Sequence, residues 1–500
     1  MAQWTSTVGA GQLARLLGPR AGTGGGPGAP RVPAYRALAD GVRLLVLEGR
    51  LPVAARLPAE RELAGALAVS RTTVAAAFEA LRADGFLESR RGSGSWTAVP
   101  AGRPMPSRGL EPLPPEAAGS VIDLGCAALP APEPWLTRAC RAALEALPPA
   151  ARTHGDFPYG LPALRQALAD RFTARGVPTM PEQIMVTTGA MGAIAAICRL
   201  FAPRGERVAV EHPSYANALQ LMREAGARLV PVPMGEGLAG WDLPAWRRVL
   251  KEAAPRIAYV VADFHNPTGA LAGEEARREL VAAARASGTV LLVDESMTDL
   301  ALDLPPGAQP RPVSAFDHGG AGVVTVGSAS KGFWAGMRIG WVRAAPEVIR
   351  SLVAARAYAD LGSPVLEQLA LSWLMTSGGW EQATEQRRAE IRESRAAVVA
   401  ALREHVPSWE FEVPGGGLTL WVRTGGLSGS RIAEAGERLG VRVPSGPRFG
   451  LDGAFEGYVR IPFTVAGPLA AAAAERLAAA AHAVATGTAT TGATPQGYIA

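Results

Sequence analysis

Apolar residues recur at helical spacing between residues 31 and 85. The pattern predicts an amphipathic helix that ends near Gly49, a short second helix, and a third helix from Ser70 to Gly85. The apolar stripe of the first helix consists of Tyr35, Leu38, Val42, Leu45 and Val46, and that of the third helix of Val74, Ala77, Phe78 and Leu81. Residues 86–99, FLESRRGSGSWTAV, then predict two short strands joined by a Gly/Ser turn. Three helices and a β-hairpin in this order are a winged helix-turn-helix.

From Val121 to about residue 355, short apolar runs alternate with amphipathic stretches. Such alternation predicts an α/β fold with a largely parallel sheet and helices on both of its faces. The predicted strands are QIMVTTG (183–189), RVAVEHP (207–213), RIAYVVADF (256–264), GTVLLVDES (288–296) and VVTVGSASK (323–331). The predicted helices are LPALRQALADRFTARG (161–176), YANALQLMREAGA (215–227) and EEARRELVAAARASG (274–288). Ligand-binding residues of such a fold gather at the carboxyl ends of its strands.

Changes of composition predict where the chain divides into domains. The Pro- and Gly-rich stretch 100–120 predicts a linker, and the chain from about Tyr358 is mainly helical before a smaller αβ unit. We therefore expect a flexible segment over 1–30, a winged helix over 31–99, a linker over 100–120, an α/β domain over 121–485 with a small C-terminal subdomain over about 358–485, and a disordered tail over 486–500.

The overall composition is that of a multidomain globular protein. Five hundred residues with 48% hydrophobic and 19% charged side chains can form two or more well-filled cores. No run of about 18 uninterrupted apolar residues is present, so we expect no membrane span. The N-terminal residues lack a basic segment followed by an apolar stretch, which argues for the cytoplasm and against secretion. Cys126, Cys140 and Cys198 form no metal-binding or disulfide pattern, and we expect no metal site.

The excess positive charge lies in the first hundred residues. They contain 12 arginines, no lysine and 7 acidic residues, a surplus that equals the net charge of +5 of the whole chain. Bases and acids therefore balance in the rest of the chain. A localised basic segment indicates a nucleic-acid partner for the predicted winged helix, with a solvated charged face as the alternative.

Only two of the 50 basic residues are lysines, Lys251 and Lys331. Arginine forms ion pairs, but its guanidinium stays protonated and cannot form an imine. A desolvated lysine can lose its proton and condense with an aldehyde. Lys331 lies between a predicted buried strand and Arg338, so we expect imine chemistry there, whereas Lys251 fits a solvated surface position.

The segment around Lys331 resembles a known family. SASKGFWAGMRIGW, residues 328–341, is similar to the Schiff-base segment of pyridoxal-phosphate enzymes of the class I/II aminotransferase type, which have fold type I. The step from Lys331 to Arg338 matches the spacing in the MocR branch of the GntR regulators. The resemblance implies that Lys331 holds the cofactor aldehyde as an aldimine, while Ser328, Ser330 and Arg338 contact its phosphate. Hydroxyl groups and a guanidinium suit a dianionic phosphate.

The same resemblance assigns further cofactor contacts at predicted strand ends. It implies that Ala190 and Met191, at the start of a helix, bind the phosphate and that Tyr215 stacks on the pyridine ring. Asn266, in the tetrad NPTG, is implied to bind the ring oxygen. Asp294 is implied to pair with the pyridine nitrogen, which keeps the ring protonated and makes it an electron sink.

The substrate side of the site resembles the family in one position and departs from it in another. Arg460, in GYVRIPF, matches the family's arginine for a substrate α-carboxylate, and a surface arginine at a strand edge is the alternative. The family's tyrosine two or three residues after the aspartate is absent, since Ser296 and Met297 stand there. His154 or Gly155 likewise replaces a family tyrosine, for which Tyr159 is a possible substitute.

The predicted winged helix resembles the GntR-type DNA-binding domain along residues 57–96. Arginine and threonine at the start of a recognition helix suit phosphates and base edges. The resemblance implies DNA contacts by Arg61, Ser70, Arg71 and Thr72, with Gly92 in the wing. Because Ala75 replaces a basic residue that is frequent in the family, more of the DNA contact is expected from Arg90, Arg91 and the wing.

The aminotransferase resemblance implies a homodimer. For its function, these features lead to three hypotheses. The first is a DNA-binding transcriptional regulator that senses pyridoxal phosphate or an amino-acid ligand through Lys331. The second is an active aminotransferase with an accessory DNA-binding domain, and the third is a non-enzymatic sensor whose cofactor is itself the effector. The missing tyrosine favours regulator or sensor, whereas Asp294, Lys331 and Arg460 leave transamination open.

Overall fold

The structure is a computed structural model that describes residues 6–18, 33–47, 49–90, 94–100, 121–238, 240–305, 307–319, 322–465 and 467–487. Its α-helices are α1 (Ala10–Leu17), α2 (Ala34–Leu47), α3 (Glu60–Leu67), α4 (Arg71–Ala83), α5 (Trp135–Ala151), α6 (Pro162–Ala174), α7 (Gly189–Phe201), α8 (Ala216–Glu224), α9 (Leu243–Ala253), α10 (Glu274–Ser287), α11 (Ala329–Gly332), α12 (Pro346–Arg356), α13 (Val365–Thr376), α14 (Gly379–His405), α15 (Gly429–Arg438) and α16 (Gly467–Thr486). Its strands are β1 (Leu87–Arg90), β2 (Gly94–Thr97), β3 (Ile122–Asp123), β4 (Ile184–Thr187), β5 (Arg207–His212), β6 (Arg228–Pro233), β7 (Ile257–Val260), β8 (Val290–Asp294), β9 (Val323–Ser328), β10 (Gly340–Arg343), β11 (Thr419–Arg423), β12 (Val441–Arg442) and β13 (Tyr458–Pro462).

The described residues divide into two compact units. The first lies within Met1–Cys126, Ala397–Glu412 and Trp421–Ala500, and the second lies within Ala127–Ala396 and Val413–Leu420. None of the described helices combines the length and the apolar character that a membrane crossing requires.

The N-terminal part of the first unit is the predicted winged helix. Helices α2, α3 and α4 surround a buried apolar core, and β1 pairs with β2 in antiparallel register. Ser70 caps α4, because its Oγ accepts a 3.1 Å hydrogen bond from the Thr73 amide. The predicted stripe of α4 is buried, with members Val74, Ala77, Phe78 and Leu81. The predicted wing residues Arg91 and Gly92, residues 101–120 of the predicted linker, and 488–500 of the predicted tail lie outside the described residues.

The C-terminal part of the first unit combines short strands with two helices. Strand β12 pairs with β3 in parallel, and β11 pairs with β13. Helix α15 packs against α16, whose buried face consists largely of alanine. The predicted smaller αβ arrangement is present here.

A seven-stranded sheet forms the centre of the second unit, in the order β4-β10-β9-β8-β7-β5-β6. Strands β6, β5, β7, β8 and β9 are parallel, whereas β10 runs antiparallel to both β9 and β4. Helices α5, α6 and α13 pack near β4 and β10, while α9 and α10 pack near β7 and β8. The predicted largely parallel sheet is confirmed. Because β4 and β9 point the same way as β8, their carboxyl ends meet at one edge.

Two strands of this sheet were absent from the sequence-based prediction. Strand β6 contains Pro231 and Pro233, which the pattern does not mark as a strand. Prolines are tolerated there because β6 is an edge strand. Strand β10, with the sequence GWVR, is short and ends in Arg343, whose side chain is nevertheless buried.

Candidate functional site

Lys331 lies in the single helical turn α11, directly after strand β9. Ser328 caps this turn, since its Oγ accepts a 3.1 Å hydrogen bond from the Ser330 amide. The Lys331 side chain is half-buried, and its Nζ donates a 2.6 Å hydrogen bond to the carbonyl oxygen of Ala127. The lysine amine is therefore held at the carboxyl edge of the sheet, in the same turn as two serine hydroxyl groups.

Two glycines bring a second turn close to the first one. Gly189, which opens α7, has a φ of +73°, and a β-carbon there would lie 3.0 Å from Nη2 of Arg338. Gly340 pairs with Thr187 of β4 and with Ser328 of β9. A β-carbon on Gly340 would lie 2.5 Å from the carbonyl carbon of Gly189. The absence of these two side chains lets the Arg338 guanidinium, the start of α7 and the end of β9 pack together.

This cradle, defined by Ser328, Ser330, Arg338 and the first turn of α7, is suited to an anion. The first amides of a helix have no partner within the helix, and the helix dipole favours negative charge there. Ala190 and Met191 lie in that turn, and Arg338 is exposed. The structure thus gathers the residues predicted to hold the phosphate, and their contact with a phosphate stays a prediction.

Asp294 ends strand β8 in a buried position with two hydrogen-bond donors. The Tyr259 hydroxyl donates to Oδ2 over 2.9 Å, and the Ser296 amide donates to Oδ1 over 2.9 Å. Burial raises the pKa of Asp294 although these bonds oppose the shift, and burial with the Asp294 charge raises the pKa of Tyr259 well above its usual value. A positively charged partner would offset the cost of the buried carboxylate.

Asn266 follows strand β7 and presents a buried amide. It is 6% exposed, and its Oδ1 accepts no hydrogen bond from the described residues. The preceding residue, His265, has a polar atom close to each of its two ring nitrogens. Its Nδ1 lies 2.9 Å from Oγ1 of Thr268, and its Nε2 lies 3.2 Å from Oε2 of Glu211. Tyr215, predicted to stack on the ring, is half-buried just before α8.

Arg460 lies on strand β13 of the first unit and is 2% exposed. Its Nη2 donates to the carbonyl oxygen of Gly125, and its Cζ lies 5.2 Å from the centroid of the Phe449 ring. The alternative of a surface arginine is therefore wrong. A buried guanidinium beside an apolar ring is suited to a carboxylate, and binding of one stays a prediction.

The positions of the missing tyrosine are filled in other ways. Met297 is buried, and Ser296 Oγ is buried without a hydrogen-bond partner among the described residues. Glu295 forms an ion pair of 2.7 Å with Arg175. The Tyr159 ring lies under the guanidinium of Arg165, 5.3 Å from its Cζ.

Two features of the site were not found from the sequence. Tyr259 sits inside the apolar run RIAYVVADF, where nothing distinguishes it from a core residue. Its role depends on strand β7 pairing with β8, which places Tyr259 opposite Leu292. The two close glycine contacts likewise depend on β10 lying between β4 and β9.

Four of the residues predicted to contact DNA are among the described residues of the winged helix. Arg61 is on α3, Arg71 and Thr72 open α4, and all three are exposed. Ser70 Oγ, besides capping α4, lies 2.8 Å from Oγ1 of Thr72. Arg71 Nε is 3.8 Å from Oε2 of Glu60, a distance that leaves the guanidinium available to a phosphate.

Comparison with known protein families finds two matches in this chain. The model described as "Aminotransferase class I and II" matches residues 121–477. The model described as "Bacterial regulatory proteins, gntR family" matches residues 34–96.

Individual relatives include both regulators and an aminotransferase. The uncharacterized HTH-type transcriptional regulator YisV of Bacillus subtilis is 28% identical, over 78% of this chain and 84% of its own length. The probable rhizopine catabolism regulatory protein MocR of Rhizobium meliloti is 27% identical, over 76% of this chain and 79% of its own length. The crystal structure of LysN, the alpha-aminoadipate aminotransferase of Thermus thermophilus, complexed with N-(5'-phosphopyridoxyl)-L-leucine, aligns with a TM-score of 0.65 and 29% identity. That alignment covers 74% of this chain and 94% of LysN.

Proposed function

Because the chain belongs to the class I and II aminotransferase family and carries a GntR-type winged helix, we propose that this MocR-type regulator senses pyridoxal phosphate or an amino acid. In this proposal the winged helix binds operator DNA, and the aminotransferase-like domain holds the cofactor at Lys331. The protein acts as a homodimer in the cytoplasm. The observation that carries the proposal is the anion cradle beside Lys331, in a chain whose DNA-contacting residues are exposed.

The residues at the sheet edge fit pyridoxal phosphate. Asn266 Oδ1 is a buried oxygen with no hydrogen-bond partner among the described residues, and such an atom costs about 1–3 kcal/mol unless a ligand satisfies the amide. The phosphate would be held by Arg338, Ser328, Ser330 and the first amides of α7. When bound, pyridoxal phosphate supplies an aldehyde that condenses with amines and a ring that withdraws electrons.

The other residues would orient the cofactor and its ligand. Asp294 would hold a proton on the ring nitrogen, and Tyr259 keeps that carboxylate in place through its hydroxyl group. Asn266 would bind the ring oxygen, and Tyr215 would stack on the ring. Arg460 would bind the carboxylate of an amino acid, because its guanidinium is buried and charged.

The site assignment is tested by replacing each of the two lysines with alanine in separate variants. Lys331→Ala should abolish the visible absorbance of protein-bound pyridoxal phosphate, because no arginine can supply the amine. Lys251→Ala is the matched control, since Lys251 is exposed on α9 and should leave the spectrum unchanged. A Lys331→Ala protein that retains the visible band would show that the covalent attachment lies elsewhere.

An active aminotransferase is the second candidate function. The chain keeps Lys331 to move a proton at the ligand's α-carbon, Asp294 for the ring nitrogen and Arg460 for the carboxylate, and LysN is an aminotransferase of similar fold. Met297 and Ser296 stand where the tyrosine of the family is expected, which favours sensing over turnover. Incubating the loaded protein with a panel of amino acids distinguishes the two: an aminotransferase forms the 2-oxo acid with multiple turnovers, and a sensor shows only a spectral change.

A further inference from the structure

Within the first unit, a buried ion cluster joins the winged helix to the C-terminal subdomain. Arg43, on α2, donates to Asp40 over 2.5 Å and to Glu434 over 2.8 Å, and it also forms an ion pair with Asp84. Arg43 and Glu434 are each less than a tenth exposed. Arg438 contacts Glu434 from the more exposed side. We call these five residues the Arg43 cluster.

The cluster reaches the DNA-reading part of the winged helix. Asp84 is the C-cap residue of α4, whose first turn carries Arg71 and Thr72. The Arg43 guanidinium also lies 5.7 Å from the ring of Phe86, which precedes the first wing strand. One guanidinium therefore touches the end of the recognition helix, the base of the wing and helix α15.

The other end of α15 is fixed to the strand that carries Arg460. The Gly429 amide donates a 2.7 Å hydrogen bond to the Glu456 carbonyl oxygen, and Ser430 Oγ donates to the Glu456 carboxylate over 2.8 Å. A β-carbon on Gly429 would overlap the carbonyl oxygen of Tyr458. Tyr458 begins β13, two residues before Arg460. Helix α15 thus contacts β13 at its first turn and the winged helix through Glu434.

A second contact, between the end of α1 and the C-terminal subdomain, is formed by glycine backbones. Gly18, after α1, has a φ of +74°, and its backbone faces that of Gly453. A β-carbon on Gly453 would lie 3.1 Å from the α-carbon of Gly18. This contact is formed by backbone atoms, whereas the Arg43 cluster is formed by charged side chains.

The charges of the cluster make Glu434 its sensitive member. Among these five residues, three carboxylates face two guanidinium groups. Burial raises the pKa of Glu434. Burial acts to lower the pKa of Arg43, but the surrounding carboxylates outweigh it and raise that pKa. Separating a buried ion pair leaves an uncompensated charge, so the intact cluster disfavours positions of α2 and α15 that part Arg43 from Glu434.

We infer that α15 positions the winged helix through the Arg43 cluster and transmits the occupancy of Arg460 to the recognition helix. The inference rests on the proposed function for the ligand, but the positioning itself does not need a ligand. The DNA-contacting residues Arg61, Arg71 and Thr72 are exposed while the cluster is formed, so the contact orients the winged helix without covering it. Helix α15 connects the two sites physically, because it contacts the segment that leads into β13 and, through Glu434, the winged helix.

The inference predicts an effect on two-repeat DNA alone. Losing the contact frees each winged helix, which lowers the effective concentration of the second one once the first is bound. With the pyridoxal-phosphate-loaded full chain, Glu434→Gln should lower the ratio of affinities for a two-repeat and a one-repeat duplex by roughly fivefold or more. The same variant should abolish the change that an amino acid causes in that ratio. Asp84→Asn, which breaks the cluster from the winged-helix side, should act likewise.

The experiment uses duplexes selected from a random library with the wild-type chain and a panel of the twenty standard amino acids. Glu475→Gln, an exposed glutamate on α16, is the matched control and should behave as wild type. An unchanged ratio in Glu434→Gln, which includes an equal loss of affinity on the two duplexes, overturns the inference. If wild type responds to none of the twenty amino acids, the proposed sensing of a standard amino acid fails and so does its transmission, while the ratio without amino acid still decides whether α15 positions the winged helix.

Discussion

Asp294 is a carboxyl group whose surroundings differ sharply from water. Two hydrogen bonds, from Tyr259 and from the Ser296 amide, stabilise its charged form, whereas burial disfavours that form and raises the pKa of Asp294. The family resemblance identified Asp294, which stands at the end of a predicted apolar strand. The sequence does not single out Tyr259 on the neighbouring strand β7, because its contact with Asp294 appears only once β7 is paired with β8.

We expect Tyr259→Phe to destabilise the cofactor-free chain. A hydrogen bond to a charged group contributes about 1.5–3 kcal/mol, and the variant removes one from a buried carboxylate. Because the folded pKa of Asp294 is already raised, its ionisation lowers stability as pH rises above about 3.9, the unfolded value. The variant raises the pKa of Asp294 further. The difference in unfolding free energy from wild type should therefore grow with pH and level off above the folded pKa of Asp294 in the variant.

Denaturant unfolding across this pH range measures the effect of Tyr259→Phe. Tyr358→Phe is the control, because Tyr358 is 93% exposed and should show no change at any pH. A Tyr259→Phe difference that shrinks as pH rises would contradict the role given to the Tyr259 hydroxyl.

Strand β10 shows how a short element decides the geometry of the site. It lies between β4 and β9, and Gly340 stands opposite the last residues of both. The strands with long apolar runs were predicted from the sequence, because their periodicity is strong. β10 and β6 were missed because the sequence GWVR is too short to show a period and the prolines of β6 conceal an edge strand.

Gly340→Ala should disturb the anion cradle. The added β-carbon would lie 2.5 Å from the carbonyl carbon of Gly189 and 2.8 Å from the Ala190 amide nitrogen, so the turn that opens α7 must shift. Such overpacking costs about 1–3 kcal/mol, and we expect both a lower unfolding free energy and weaker binding of pyridoxal phosphate. Gly273→Ala is the control, since a β-carbon there meets no atom within 4 Å. Wild-type cofactor affinity in Gly340→Ala would mean that this turn does not hold the phosphate.

Helix α4 was predicted in full, including its cap and its buried stripe, because the helical period and the capping serine agree. Its first turn carries the exposed Arg71, which we expect to contact DNA. Arg71→Ala should weaken specific binding by about 1–3 kcal/mol if the side chain reads a base. If the side chain contacts a phosphate instead, the slope of log affinity against log salt concentration should fall in magnitude by about one. Either change is measured by titrating labelled duplex at several salt concentrations.

Arg82→Ala provides the comparison for Arg71→Ala on the same helix. Arg82 lies in the last turn of α4 and pairs with Glu79, so DNA affinity should change little. Equal losses from the two substitutions would point to non-specific charge loss and against a recognition role for the first turn.

The whole molecule joins segments that are far apart in the chain. Arg43 and Glu434 are 391 residues apart, yet they form one buried ion pair within the first unit. The sequence showed a basic N-terminal module and an aminotransferase-like domain, because each has its own motifs. The sequence did not show this contact, because a buried ion pair depends on how two helix surfaces meet and produces no periodic pattern along the chain.

The combination of a GntR-type winged helix and an aminotransferase-like domain in one chain gives a quantitative expectation for DNA binding. A single winged helix binds one half-site, and two copies held in a homodimer bind paired half-sites with an increased effective concentration. Whatever a ligand does to DNA affinity, DNA must do to ligand affinity by the same factor, because both describe one thermodynamic cycle. We therefore expect an operator with two repeats, whose affinity shifts by roughly 5–150-fold on binding pyridoxal phosphate or its amino-acid adduct.

The reciprocal measurement tests this expectation most directly. Labelled operator is titrated with cofactor-free protein, loaded protein and Lys331→Ala protein, and the cofactor is titrated spectroscopically with and without saturating operator. The two shifts should agree in size and sign, and Lys331→Ala should remove both because it cannot hold the cofactor covalently. Superimposable DNA curves for all three proteins, with and without amino acids, would mean that the two domains share a chain without energetic coupling.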